Sequence, residues 1–149
     1  MMTLHPEEKI DDWISAGAKT LIIHKHSTEN ETLERIFNHA QEKGVEVAIA
    51  LKPSTSNEEL APFIDRVSLI QCMGNDNIGF HGVVFDESVL GKIKDIRERY
   101  GDVTIGVDIG VNTDTAPRMV EVGVTRLVSG SAIYNAENIE DSIQQFQSL

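Results

Sequence analysis

Short, almost wholly apolar runs alternate along this chain with longer stretches in which apolar residues recur every three or four positions. The apolar runs are Thr20 to His24, Val45 to Leu51, Val67 to Cys72, Val103 to Val107 and Arg126 to Val128. They are rich in Val, Ile and Leu and lack strict two-residue alternation, which is the pattern of parallel strands covered on both faces. The amphipathic stretches predict helices over Pro6 to Ala16, Glu29 to Lys43, Asn57 to Asp65, Ser88 to Tyr100, Asp114 to Val122 and Glu137 to Gln147. The end signals agree with this division. Pro6 is placed to start the first helix and Gly17 to stop it. Thr28 with Glu31, and Ser56 with Glu59, have the spacing of capping boxes. Gly44, Gly101 and Gly123 follow helix ends. A cap at Asp114 puts Pro117 in the first turn, where its missing N–H costs nothing.

Strand–helix alternation implies right-handed crossovers and a parallel sheet. The expected fold is α/β, with five β/α units led by an extra helix, in a single domain over residues 1–149. No linker, low-complexity tract or charge block divides it. The longest connection, Met73 to Ser88, is the expected functional loop. Composition changes the picture in three ways. At 149 residues and 40% hydrophobic, the chain can bury a sizeable core. With 24 acidic and 13 basic residues its net charge is −11, which repels nucleic acid and anionic membrane but not a small anion held by a local positive potential. Cys72 is the only cysteine, so no internal disulfide forms, and a reducing cytoplasm is the expected compartment. The opening residues show no signal peptide. No apolar run approaches the roughly 18 residues of a membrane span.

In parallel α/β folds, ligands bind at the carboxyl ends of strands. Polar and glycine residues concentrate at these ends: His24-Lys25-His26-Ser27, Lys52-Pro53-Ser54-Thr55, Met73 to Gly82, Asp108 to Asn112, and Ser129 to Ala132. Gly110 and Gly130 would let backbone N–H groups approach a ligand, and Ser131 adds a hydroxyl. Gly130-Ser131-Ala132 would open a short helical turn aimed at an anion. Either glycine alone reads better as a tight turn. Two on adjacent strand ends favour a phosphate site.

Val107-Asp108-Ile109-Gly110-Val111-Asn112, Thr115-Ala116-Pro117, Val120-Glu121-Val122-Gly123 and Leu127 to Tyr134 resemble the end of ribulose-phosphate 3-epimerases. Ile49 to Thr55 resembles that family's fifth strand. Met73 and Gly79-Phe80-His81-Gly82 resemble its glycine-rich loop after strand six, which adds Gly79 and Gly82 to the phosphate set. His5 to Ile10 resembles the start of its third helix. The resemblance implies a metal-dependent isomerase on an eight-unit barrel that acts on a pentulose phosphate. This chain then corresponds to the family's fourth to eighth strands, a parallel (β/α)5 truncated TIM-barrel-like domain. Met1-Met2 would stand where the family's third strand finishes.

The resemblance implies catalysis by residues of strands one, two, three and seven, of which only Asp108 has a counterpart here. One acid serves two faces of a carbon poorly, and a lone carboxylate seldom holds a catalytic metal. The chain also departs from the family in the loop, where His81 replaces a glycine and Val83 a glutamine, and at Ile109 and Lys52, where the family has a glycine and an asparagine. The expected function is therefore a phosphate- or phosphosugar-binding relative whose epimerase activity is lost or very weak. The alternative is a non-catalytic phosphate-binding or structural half-barrel.

Other residues raise further candidates. His24 and His26 stand two apart at a strand end and, with Asp108 across the pore, would make a transition-metal site; as an alternative they are solvated histidines. Lys52 would offer a cation to a phosphate or enediolate, or simply lie along the surface. Cys72 and Trp13 are assigned to packing. His81 is a loop donor or exposed. Five strands cannot close with eight-strand geometry unless tilt and shear change. The sheet would close as five, stay open, or cover its edges in a homo-oligomer. Thr20–His24 and Arg126–Val128 are the expected edges. The leading helix would plug exposed core through Ile10, Trp13 and Ile14.

Overall fold

The computed structural model describes residues 2–80 and 82–149. Five parallel strands form one sheet: β1 Thr20–His24, β2 Glu46–Leu51, β3 Ile70–Met73, β4 Ile105–Asp108 and β5 Arg126–Val128. Their order in the sheet is their order in the chain. β1 and β5 are not paired with each other, so the sheet stays open and the five-strand closure does not occur. The helices are α1 Ile10–Ser15, α2 Asn30–Glu42, α3 Ser88–Tyr100, α4 Ala116–Glu121, α5 Ser131–Tyr134 and α6 Ile139–Gln147. Among the described residues, no helix is long and apolar enough to cross a membrane.

The apolar runs become strands because both faces find cover. Val47 to Leu51 and Ile70 to Met73 are buried throughout. α2 covers β2 with Leu33, Ile36, Phe37 and Ala40, and α3 packs on β3, each larger side chain contributing about 1.5–3 kcal/mol by leaving water. Phe37 stacks on Phe63 at 5.5 Å, and Arg66 sits 5.0 Å from the Phe37 ring. Arg97, on α3, donates to the carbonyls of Gly101, Val103 (2.8 Å) and Gly123 (2.7 Å). It thereby ties together the turns that lead into β4 and β5.

Several element ends differ from the sequence pattern, each for a local reason. The leading helix breaks at Lys9 into a 3-10 turn, Pro6–Glu8, and α1. Ile10 is buried and Ile14 packs against the core, but Trp13 is 53% exposed and is not a packing residue. Thr28 is extended and does not cap α2, which starts after Glu29 with no side-chain cap. Asn57 to Asp65 yields only a 3-10 turn, Asn57–Leu60. Ser56 does accept the Glu58 N–H at 3.3 Å, while the Glu59 carboxylate reaches the buried Lys25 ammonium at 3.0 Å. Val67 stays out of β3 because its N–H closes a turn on the Phe63 carbonyl, 3.1 Å away. Asn112, not Asp114, holds the turn before α4: its Oδ1 accepts the N–H groups of Asp114 (2.9 Å) and Thr115 (3.0 Å). The last predicted helix starts late, at α6, where Asn138 accepts from Glu140 and Asp141. Cys72 is buried in the core, as expected.

Candidate functional site

β4 and β5 end on the same rim of the sheet, and their ends form one wall of a groove of about 640 Å³. Gly82, Asp108, Gly110, Gly130 and Ser131, all singled out from the sequence, line it. The other wall is the Met73–Ser88 connection, which contributes Phe80, Val84 and Phe85. That connection is latched to β4. The Gly74 N–H donates to the Asp108 carbonyl at 2.6 Å, and the Asp86 N–H donates to the Gly74 carbonyl at 2.7 Å. A Cβ on Gly74 would lie 2.0 Å from the Ile109 carbonyl oxygen, so only glycine fits. Gly110 has a positive φ of 71°, and a Cβ there would come within 2.7 Å of Phe85.

Asp108 is half-buried at the floor of this groove. Its Oδ1 accepts the Ile109 N–H at 2.8 Å. Burial pushes the carboxyl pKa up, and that hydrogen bond partly opposes the shift. Ile109 makes the bond from a φ of +80°, a left-handed conformation costly for a β-branched residue. Thr115 steadies the turn from below: its hydroxyl donates to the Gly110 carbonyl at 2.7 Å and accepts the Asn112 N–H at 3.0 Å. Ser129 donates to the Val111 carbonyl at 3.0 Å, which fixes the β5 end against the β4 end.

Gly130 precedes α5, and the first N–H groups of that turn have no intrahelical acceptor. Its φ is −114°, and nothing lies within 4 Å of where a Cβ would stand. Neither backbone conformation nor packing therefore requires glycine here.

The remaining candidates gather elsewhere. Gly79, His24 and His26 line a separate pocket of about 250 Å³ with Met2, Leu4 and Ile78. His24 is 4% exposed and its Nδ1 has no hydrogen-bond partner among the described residues. Its ring meets the His26 ring edge-on at 5.3 Å. Burial first, then neighbouring positive charge including His26 and Lys52, lowers the His24 pKa to about 4. Burial and Lys52 also lower that of His26, which Asp76 partly offsets. Lys52 therefore acts on the histidines rather than on the groove. His81 lies outside the described residues.

The expected joining of Asp108 with His24 and His26 does not occur. Among the described residues no three His, Cys, Asp or Glu side chains come together as a metal-binding group. The reason is topological. Asp108 is on β4 and His24 on β1, three strand spacings apart in the open sheet, or roughly 14 Å along it. Among the described residues, the donor set does not fit a resident divalent metal.

The sequence reading placed Gly74 and Ser129 at strand ends and Thr115 in a family-like segment, but gave none of them, nor Phe85, a role in the site. The only signal for Gly74 was its place directly after a strand; Thr115 acts within its own turn, and Phe85 and Ser129 act through contacts between distant loops.

A family model described as the ribulose-phosphate 3 epimerase family matches residues 1–134. Ribulose-phosphate 3-epimerase of Schizosaccharomyces pombe is 32% identical over 143 residues, covering 96% of this chain and 61% of that protein. The chloroplastic ribulose-5-phosphate-3-epimerase of Arabidopsis thaliana is 32% identical, with 97% of this chain and 52% of that protein covered. The Bacillus subtilis enzyme is 32% identical, with 99% and 69% covered. The chain thus spans between half and about two thirds of the curated relatives it matches. Among solved structures, 3-hexulose-6-phosphate synthase from Salmonella typhimurium superposes with a TM-score of 0.75 at 14% identity, covering 95% of this chain and 65% of that one. A tryptophan synthase alpha-subunit from Pyrococcus furiosus gives 0.69 at 13% identity, covering 97% and 61%. At such identities these structures speak to the fold alone.

Proposed function

Because this chain belongs to the ribulose-phosphate 3-epimerase family, we propose that its β4–β5 groove binds the phosphate end of a pentulose phosphate while epimerisation by this chain is lost or very weak. The observation that carries the binding half is Gly130. It is free of backbone strain and faces open space, so a glycine there serves the close approach of something other than protein. The neighbouring N–H groups of Ser131 and Ala132, with the Ser131 hydroxyl, supply donors of the kind a phosphate accepts. Gly82 and Gly110 line the rest of the groove.

The catalytic half follows from Asp108. A half-buried carboxyl with a raised pKa suits the transfer of a proton at one face of a carbon beside a ketone. Inversion also requires an acid on the opposite face, and the other carboxylate that lines the groove, Glu87, is held in a two-point pair by Arg118. Losing one positioned acid–base group costs roughly 10²–10⁴ in rate.

Two measurements test the two halves separately. Thermal unfolding with millimolar inorganic phosphate or ribulose 5-phosphate is expected to show stabilisation, because a ligand that binds only the native state must raise its stability. Gly130→Val is expected to abolish that shift. No stabilisation by either compound would sink the binding half. A coupled assay for xylulose 5-phosphate is expected to read at least roughly a hundredfold below a full-length relative. Turnover comparable to the relative would sink the catalytic half.

A further inference from the structure

Most polar side chains that line the β4–β5 groove are already engaged by the protein itself. Thr115 and Ser129 donate their hydroxyl protons to the carbonyls of Gly110 (2.7 Å) and Val111 (3.0 Å). The Asn112 Oδ1 accepts the N–H groups of Asp114 and Thr115. The Glu87 carboxylate accepts from both terminal nitrogens of Arg118, at 2.6 and 3.0 Å. Asp108, Ser131 and Asn135 remain, and one oxygen of Asp108 accepts the Ile109 N–H. A pentulose would bring hydroxyl and ketone groups into this space. Each polar group that leaves water without a partner costs free energy.

The apolar part of the lining is in the opposite condition. Phe80 and Val84, from the Met73–Ser88 connection, are 73% and 79% exposed, and Val128 at the β5 end is 37% exposed. Their surfaces stand in water where the polar groups are satisfied, so it is the apolar surface that gains from a ligand.

Ile109 is the decisive residue. It holds a φ of +80°, where a β-branched side chain is strained and a glycine is not. Among the described residues, its side chain belongs neither to the buried core nor to the partly buried side chains packed on that core. It lines the groove instead. Neither the backbone nor the packing therefore calls for isoleucine here. What isoleucine adds over glycine is apolar surface, next in the chain to Asp108.

We propose that this groove selects a phosphate monoester with an apolar, ring-sized body over a pentulose phosphate. The proposal rests on the anion-binding reading of the groove given above and names the class of ligand that its walls fit. The phosphate takes the backbone donors beside Gly130. The body lies between Ile109 and Val128 on one wall and Phe80 and Val84 on the other. The groove, at about 640 Å³, is within the roughly 300–1,000 Å³ of small-molecule sites. A tenfold preference corresponds to about 1.4 kcal/mol. Burial of roughly 55 Å² of apolar surface supplies it at about 25 cal/mol per Å², well below the roughly 150–250 Å² that an aromatic side chain buries.

Titration calorimetry on the full chain with inorganic phosphate, ribulose 5-phosphate and phenyl phosphate tests the assignment. Phenyl phosphate is expected to bind at least roughly tenfold tighter than either of the other two. Ile109→Gly and Val84→Ser are each expected to cut the ratio of phenyl phosphate to inorganic phosphate affinity by at least roughly threefold. Ile109→Gly is expected to unfold at no lower urea concentration than the wild type, so a lost ratio in that variant is not a lost fold. Phosphate binding with no gain from the phenyl group would overturn this proposal and leave the anion-binding reading standing. Tighter binding of ribulose 5-phosphate than of phenyl phosphate would do the same. If neither inorganic phosphate nor either ester bound, both readings would fall. A ratio that survives both substitutions would overturn the placement of the apolar body in this groove.

Discussion

The rim of the sheet where strands end holds two pockets of opposite construction. At β4 and β5 the walls are backbone: Gly74 against Ile109, Gly110 against Phe85, and Gly130 with open space before it. At β1 the walls are side chains: His24, His26, Met2 and Ile78. The first arrangement concentrates N–H donors and one carboxyl of raised pKa. The second holds imidazoles whose pKa values burial, helped by neighbouring positive charge, lowers. One rim thus carries a place suited to an anion and a place that resists charge. Backbone-built sites fail when a methyl is added; side-chain-built sites fail when a proton is added.

The largest expected effect comes from the first kind. Gly74→Ala forces a Cβ onto a backbone carbonyl that cannot rotate away, and is expected to cost about 3 kcal/mol. Urea unfolding measures it. A loss under 1 kcal/mol would mean that the latch between the loop and β4 is soft.

Acid is expected to act on the other end. The His24 pKa is lowered from 6.5 to about 4 in the folded chain. Between those values the unfolded chain takes up a proton that the folded chain refuses. The stability from this residue is therefore complete above about pH 6.5 and is lost as the pH falls toward 4, by about 3 kcal/mol. His24→Asn is expected to remove that slope; if the variant keeps the wild-type pH profile between 6.5 and 4.5, the assignment is wrong.

A smaller effect of opposite sign is expected at Ile109. Ile109→Gly relieves a positive φ in a β-branched residue, worth about 1–3 kcal/mol. It gives back about 0.5–1 kcal/mol in chain entropy. The expected result is a variant about 1 kcal/mol more stable, with the Asp108 carboxyl less firmly held. Its Asp108 pKa, followed by carbon-13 NMR, should move further upward. The smallest effect on stability belongs to Gly130→Ala, which is expected to stay within about 0.5 kcal/mol of wild type. Its phosphate-induced thermal shift should nevertheless disappear, which separates a binding glycine from a folding one.

Much of this rim was legible in the chain itself. The apolar runs at Thr20–His24 and Arg126–Val128 became strands with the predicted limits, and Ser88–Tyr100 became a helix ending at Gly101. Gly82, Gly110, Gly130 and Asp108 met in one groove because α/β topology brings successive strand ends to one side, whereas Gly79 lines the other pocket. What was not legible depends on competition or on distance. Glu59 had two possible partners, the backbone of its own turn and Lys25, and proximity to Lys25 appears only in the fold. Trp13 fits an apolar stripe by spacing, yet the break at Lys9 leaves it facing out. His24 and Asp108 looked like neighbours if the strands made a ring, and an open sheet keeps them apart.

The chain-order sheet has a kinetic consequence. Every strand pairs with the strand next along the chain, so each closure spans one helix and its turns and none must wait for the two ends of the molecule to meet. Contacts of that reach cost little loop entropy and favour fast folding. The units should assemble as a zipper does, from whichever neighbouring pair forms first, in the manner of a stacked repeat array. Unfolding should then fray from β1 and β5 inward, with amide exchange slowest along β3.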